Sequence, residues 1–350
     1  MRVAVVGAGS WGTALAQSLA ATSCEVRLWA RDPGVAAELR EARRHPWALP
    51  GVELNPRVVV DHDLATVLRG ADVAVLAVPS HAMRDTAAAI RPWASGMSVL
   101  SAAKGFELGS GLTMTSVIAE VLGDDARIAA LSGPNIAIEI ARGLPAATVV
   151  ASRDAAVAES IRDGCNGGAL RFYSSDDVVG VEYAGALKNV VAIGAGVCDG
   201  IGAGDNAKAT LITRGLAEIA RLGVRAGAQP LTFAGLAGLG DCMVTCMSPH
   251  SRNRGLGEAI GKGVLPAEAI AASQMVVEGV NATTAALELA ARYGVEMPIT
   301  RQVSAVLFEG RSVAEALGAL MTRDAGDELA GIDMAQLPAP GGGRGEAAGR

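Results

Sequence analysis

The chain has 350 residues and a formal net charge of -6, and half of it is hydrophobic although only 3% is aromatic. That length suits two domains around a large core built from Ala, Val, Leu and Ile, and the 44 glycines point to many close contacts between elements. With a pI near 5.4 there is no basic patch to release counterions, which argues against a nucleic-acid partner.

The first half alternates short apolar runs with helical patterns. Strands are expected at 2–6, 25–29, 58–60, 72–78, 98–102, 128–131, 147–151 and 170–173. Helices are expected at 13–21, 35–43, 82–90, 113–122, 135–141 and 154–163. Such alternation predicts a doubly wound, mostly parallel α/β sheet of the Rossmann type. From about Asp176 the strand signal stops, and helical patterns at 181–197, 208–222, 267–272 and 282–293 predict an all-α second domain. The expected division is a dinucleotide-binding domain at 1–176, a helical substrate domain at 177–332 and a disordered Pro/Gly/Ala-rich tail at 333–350. No apolar stretch comes near the roughly 20 residues of a membrane span, and the N-terminus reads as a strand rather than a signal peptide. A cytoplasmic location follows. Cys24, Cys165, Cys198, Cys242 and Cys246 are odd in number and lack C-x-x-C spacing, so reduced thiols are expected. Cys242, Cys246 and His250 have helical spacing, but no further ligand is nearby, and no metal is expected.

The strongest motif is Val3–Val6 running into Gly7, Gly9 and Gly12 before a helix. One glycine permits the tight bend, one lets the backbone approach a pyrophosphate, and one lets helix and strand pack closely. The helix start then offers free N–H groups and a positive dipole end. This predicts a dinucleotide cofactor. At the end of the second strand an acidic residue would hold the ribose 2′-OH of NAD, but Ala30 and Arg31 stand there. Asp32 follows one step later, or caps the next helix. Arg31 thus favours NADP over NAD.

Later strands end in Val78-Pro-Ser-His81 and Ala102-Ala-Lys-Gly105, at the edge where ligands collect in open α/β sheets. Lys104 either points an ammonium at a substrate oxygen or is a solvated loop lysine. His81 reads better as a hydrogen-bonding group at a helix head than as an acid–base group. Lys188 is sharper. Its helical neighbours Ala184, Gly185, Val191 and Ala192 are all small or apolar, and burial there disfavours the charged form, which suits proton transfer. The alternative is a snorkelling lysine on an interdomain helix. Ser251-Arg-Asn-Arg254 precedes a helical pattern at 256–260, which makes either an anion site or an ordinary N-cap with surface arginines.

These residues fall into motifs that resemble the bacterial soluble NAD(P)-dependent glycerol-3-phosphate dehydrogenases. The motifs are Gly-Ala-Gly-Ser-Trp-Gly-Thr-Ala-Leu-Ala (7–16), Val-Pro-Ser-His (78–81), Ala-Lys-Gly (103–105), Ser-Gly-Pro-Asn (132–135), Leu-Lys-Asn-Val-Val-Ala-Ile-Gly-Ala-Gly (187–196), Leu-Ile-Thr-Arg-Gly-Leu-Ala-Glu (211–218), Ala-Gly-Leu-Gly-Asp (237–241), Ser-Arg-Asn-Arg (251–254), Val-Val-Glu-Gly (276–279) and Val-Glu-Met-Pro-Ile-Thr (295–300). They run in order to about residue 320.

The resemblance implies interconversion of dihydroxyacetone phosphate and sn-glycerol 3-phosphate with NADP or NAD, for phospholipid synthesis, by a homodimer. It implies cofactor contacts from Gly7, Gly9, Ser10, Trp11, Gly12, Arg31 and Lys104, with Ala137 and Glu278 near the nicotinamide and Val276 nearby. Lys188 resembles the family's general acid–base residue. Lys104, Gly133, Asn135, Asp241, Ser251, Arg252 and Asn253 resemble its substrate shell. Lys104 would also steady the reacting oxygen, Asp241 would orient Lys188 or a substrate hydroxyl, and Arg252 would reach both phosphate and cofactor. Asn189 and Thr245 are second-tier candidates. Asn135 departs from the small hydroxyl residue common at that position, and its amide still hydrogen-bonds. Two rival readings remain: a β-hydroxy acid dehydrogenase, which needs no phosphate site at 251–254, and a non-catalytic NADP sensor, which has no use for Lys188.

Overall fold

A computed structural model describes residues 1–123, 125–273 and 277–323. Val276, the end of the expected helical domain and the expected disordered tail therefore lie outside the described residues.

The first half holds strands β1 (Arg2–Val6), β2 (Glu25–Trp29), β3 (Val58–Asp61), β4 (Val73–Leu76), β5 (Ser98–Ser101), β6 (Arg127–Ser132), β7 (Ala146–Ala151) and β8 (Leu170–Ser175). They form one eight-stranded sheet in the order β3-β2-β1-β4-β5-β6-β7-β8. Only β6 and β7 pair antiparallel. Helices α1 (Ser10–Ala20), α2 (Pro33–Glu41), α3 (Leu64–Leu68), α4 (Met83–Ile90), α5 (Met114–Leu122), α6 (Ala137–Ala141) and α7 (Ala155–Cys165) connect the strands. Alternation along β1 shows the two layers. Val3 and Val5 pack with Leu15 of α1 and Ile161 of α7, while Ala4 and Val6 pack with Met83 of α4 and Ile118 of α5.

The second half is helical: α8 (Val178–Gly200), α9 (Asp205–Arg225), α10 (Asp241–Met247), α11 (Arg252–Gly261), α12 (Pro266–Ala271), α13 (Glu278–Tyr293), α14 (Pro298–Phe308) and α15 (Val313–Met321). Asp177 starts α8 by accepting from Gly180 N at 2.8 Å. This corrects one expectation. At 23 residues and a mean hydropathy of 1.3, α8 is long and apolar enough to cross a membrane. It is instead the buried core of the helical half, with α9, α10, α11 and α13 around it. Small residues let the partners approach: a Cβ on Gly257 of α11 would lie 1.9 Å from Ile193 O, and one on Gly196 would lie 1.9 Å from Arg254 O. Glu182 of α8 accepts from Thr115 N at 2.8 Å, which ties this helix to the start of α5.

Cys242 and Cys246 are fully buried in the helical core, whereas His250 is exposed. The spacing that suggested a shared metal therefore places the thiols and the imidazole in different surroundings.

Candidate active site

The chain leaves β1 upward and returns through β4 on the opposite side from β2, so the carboxyl edge between β1 and β4 is the topological switch point. Gly7 sits there at φ +116°, and a Cβ on it would lie 2.6 Å from Ala77 O. A Cβ on Gly12 would lie 1.9 Å from Gly7 O, so only glycine lets α1 start this close to the turn. Gly9, the N-cap of α1, has open space where a side chain would be, offers no side-chain cap, and no acidic residue stands in the first turn. The N–H groups of Ser10 and Trp11 begin the helix beside it. A backbone cradle with bare amides fits a dinucleotide pyrophosphate. Arg31 is exposed just past β2, and the Asp32 carboxylate accepts from Val35 N at 3.0 Å as the cap of α2.

Along the same edge, the turns after β4, β5 and β6 meet α8, α10 and α13. Lys188, only 6% exposed on α8, donates from Nζ to Asp241 Oδ1 at 2.5 Å and to Thr245 Oγ1 at 2.5 Å. The sequence neighbours of Lys188 are indeed apolar, but α10 brings its polar partners from across the helix crossing. Thr245 in turn donates to Asp241 O at 2.6 Å, one helical turn back. Lys104 reaches the other oxygen of the same carboxylate: its Nζ donates to Asp241 Oδ2 at 2.7 Å and to Gly133 O at 3.0 Å. Asp241 is 1% exposed, so two ammonium groups converge on one buried anion. Burial lowers Lys104 to about 8; the Asp241 charge opposes that shift and the Lys188 charge adds to it.

Gly133 adopts φ +154°, and a Cβ there would come within 2.9 Å of Thr148 Cα. Asn135 Nδ2 donates to Thr148 Oγ1 at 3.0 Å, and Thr148 donates to Ser132 O at 3.1 Å. Asn135 Oδ1 is buried without a hydrogen-bond partner among the described residues. Ala137 opens α6 and packs with Trp11 and Ala8 against the core beneath the glycine turn.

At the start of α11 the cap reading holds for Ser251, whose hydroxyl accepts from Arg254 N at 3.2 Å. Arg252 stands exposed beside it; partial burial of its guanidinium lowers it from its ordinary value, and the negative charge of Glu278 opposes that shift. Asn253 is buried; its Nδ2 donates to Asn189 Oδ1 at 2.9 Å and its Oδ1 accepts from Gly279 N at 2.9 Å. Glu278, the first residue of α13, accepts from Ser80 Oγ at 2.9 Å. The structure thus joins Lys104, Gly133, Lys188 and Asp241 directly. It does not link Arg31 to them by any hydrogen bond or ion pair.

Three polar residues had no role in the sequence reading. Ser80 bonds Glu278, Thr148 orients Asn135, and Ser132 Oγ lies 3.5 Å from Asp241 Oδ2. Ser80 and Ser132 fall within the quoted motifs, and Ser80 sits beside the histidine that drew attention. His81 itself is exposed.

Fold and cluster define a nucleotide-dependent dehydrogenase with a helical half set against the ligand edge of its sheet. Residues 2–158 match the model for the N-terminus of NAD-dependent glycerol-3-phosphate dehydrogenase, and residues 177–318 match the model for its C-terminus. Glycerol-3-phosphate dehydrogenase (NAD(P)+) of Moorella thermoacetica is 48% identical over 322 residues, covering 92% of this chain and 96% of that one. The enzyme of the same name from Nocardia farcinica is 49% identical over 330 residues, covering 92% and 98%. The crystal structure of glycerol-3-phosphate dehydrogenase from Coxiella burnetii superposes with a TM-score of 0.86 at 35% identity, over 92% of this chain and 99% of that chain. The chain belongs to the NAD-dependent glycerol-3-phosphate dehydrogenase family.

Proposed function

We propose that the Lys188–Asp241–Lys104 cluster reduces the C2 ketone of dihydroxyacetone phosphate to sn-glycerol 3-phosphate, and runs the reverse oxidation. The observation that carries this reading is the buried carboxylate shared by two ammonium groups. Two cations on one anion leave a net positive charge at the place where an alkoxide would develop. A reduced nicotinamide, when bound, supplies the hydride to C2. Lys188 gives a proton to the C2 oxygen, and takes it back in the oxidation. Asp241 fixes the direction of the Lys188 ammonium, and Lys104 steadies the oxygen while charge builds on it.

Ser251, Arg252 and Asn253 hold the substrate phosphate in this reading, supported by their place at the first turn of α11. Asn253 keeps one amide hydrogen beyond its bond to Asn189, and Arg252 serves both phosphate and cofactor. Gly133 and Asn135 complete the substrate shell. Gly7, Gly9, Ser10, Trp11 and Gly12 hold the cofactor pyrophosphate, with Ala137 and Glu278 beside the nicotinamide.

NADP is the preferred cofactor in this proposal. Supporting it, Asp32 is committed to the α2 cap and Arg31 stands exposed at the end of β2. Residues 1–176 act as the nucleotide domain and 177–332 as the substrate domain. A cytoplasmic homodimer supplying phospholipid synthesis completes the reading, on the family resemblance; sedimentation at micromolar concentration tests the dimer. Turnover of dihydroxyacetone phosphate with each reduced cofactor tests the activity. Turnover of β-hydroxy acids in place of the phosphorylated substrate would overturn it.

A further inference from the structure

The glycine turn is held from outside by a segment that the reaction does not use. After α2 the chain forms a strap, residues 42–57, with two non-glycine residues in the left-handed region, Arg43 at φ 53° and Leu49 at φ 53°. Such backbone persists only where its surroundings impose it. Here Arg43 does so, with its guanidinium donating to Leu54 O at 3.3 Å and Val58 O at 3.2 Å, and also to Asn55 O. Gln17 of α1 pins the far end, accepting from Asn55 N at 2.6 Å and donating to Glu53 O at 3.2 Å.

His45 lies within this strap. Its Nε2 stands 2.6 Å from Ala8 O, inside the glycine turn. A carbonyl only accepts, so Nε2 carries the proton. Nδ1 faces the N–H groups of Trp47 at 3.4 Å and Ala48 at 3.2 Å, so it must be an unprotonated acceptor. Trp47 packs edge-on against the ring at 4.3 Å between centroids. Both ring nitrogens are therefore assigned, and only the neutral Nε2–H tautomer satisfies them.

The Ala8 carbonyl shares a planar trans peptide with Gly9 N–H, and in that plane the two groups point in opposite directions. Fixing the carbonyl toward the strap fixes the Gly9 N–H away from it. We propose that His45 is a positioning residue for the cofactor, its neutral imidazole holding the Ala8–Gly9 peptide so that the Gly9 N–H faces the cofactor phosphates. The inference rests on the reading of the glycine turn as the dinucleotide site.

Protonation of the ring would set a new Nδ1–H against two backbone donors, so acid should release the turn. Burial lowers His45 from its ordinary value, while the hydrogen bond to Ala8 O and, less, the negative charge of Glu38 of α2 oppose that shift. Arg43 and the exposed Arg44 are the charged residues next to it in the strap, while α1 presents the neutral Thr13 and Gln17.

The test measures the dissociation constant of NADH, which lacks the titrating 2′-phosphate, by nicotinamide fluorescence from pH 5 to 7. Wild-type affinity should weaken toward pH 5. His45→Phe should weaken NADH binding about tenfold at pH 7, while kcat at saturating cofactor and KM for dihydroxyacetone phosphate stay in place. His45→Gln donates to Ala8 O without titrating, so it should recover most of the affinity and flatten the pH dependence. A merely structural His45 would lower thermal stability and all kinetic constants together, and that result overturns the proposal. So does unchanged NADH affinity in both variants. If the wild-type protein binds neither NADH nor NADPH, the cofactor site itself falls, and the proposal with it.

Discussion

Asp241 Oδ1 accepts from Lys188 Nζ at 2.5 Å, although the two residues lie 53 positions apart on α10 and α8. The bond satisfies a lysine buried in a helical core and aims its ammonium. Replacing Lys188 with Met removes the transferable proton, yet Asp241 keeps Lys104 as a partner, so the carboxylate is not left uncompensated. The Lys188→Met protein should fold, bind NADPH as before, and lose about 10²–10⁴-fold in kcat. Cofactor fluorescence and steady-state assays check both halves. A variant that keeps its kcat would move the proton-transfer role to Lys104.

Lys104 gives the pH dependence a sign. Its folded value, about 8, lies below its ordinary one, so the ammonium is charged below about pH 8 and neutral above. Loss of that charge removes attraction for the developing oxyanion. The kcat/KM for dihydroxyacetone phosphate should therefore fall as pH rises through about 8. Lys104→Arg keeps the charge and should push that limb upward, although a guanidinium is a less compact partner for Asp241. An unmoved limb would assign it to another group.

Ser80 and Glu278 join the turn after β4 to the start of α13, 198 positions away in the chain. A hydrogen bond to a charged group is worth about 1.5–3 kcal/mol. Ser80→Ala should free the carboxylate beside the proposed nicotinamide site and raise the NADPH KM about tenfold. Ser80→Thr retains the hydroxyl and should restore it. Equal behaviour of the two variants would mean that the Ser80 hydroxyl does not position Glu278.

Arg31 is tested by reversal of charge. Arg31→Asp should weaken NADPH use far more than NADH use, because only the first carries a 2′-phosphate. Parallel loss with both cofactors would show that the residue does not read that group.

The strands were legible because central ones such as Val73–Leu76 are apolar runs buried on both faces, while the edge strands Val58–Asp61 and Leu170–Ser175 alternate buried and exposed residues, and all eight expected positions match strands of the sheet. Long helices with an apolar stripe were equally visible. Leu64–Leu68 was not, since five residues give too little periodicity to separate from a loop. Asp241–Met247 was not among the expected helices although Cys242 and Cys246 carry helical spacing, and Pro298–Phe308 went unread although Pro298 occupies the first helical turn. Motifs and resemblance named Lys104, Lys188 and Asp241, the residues of the buried cluster, but not their pairing. Nothing in the sequence says that Lys104 and Lys188 meet on one carboxylate, because the contact is made by a helix crossing and spans 137 positions on one side. The 23-residue apolar helix shows the opposite failure: composition alone does not tell a membrane span from a core helix, and only its neighbours do.

The close crossing of α8 and α11 works as a spacer of zero thickness. Lys188 rides on one helix and Arg252 and Asn253 on the other, and at Gly196 and Gly257 backbone meets backbone with no side chain between. A methyl group at residue 257 would have to displace Ile193 O, and the start of α11 would travel with it. A shift of about 1 Å in the relation of reacting groups can cost on the order of a hundredfold in rate. The gap between the proposed proton donor and the proposed phosphate grip is thus gauged by two hydrogens where side chains would be, at residues that carry no charge.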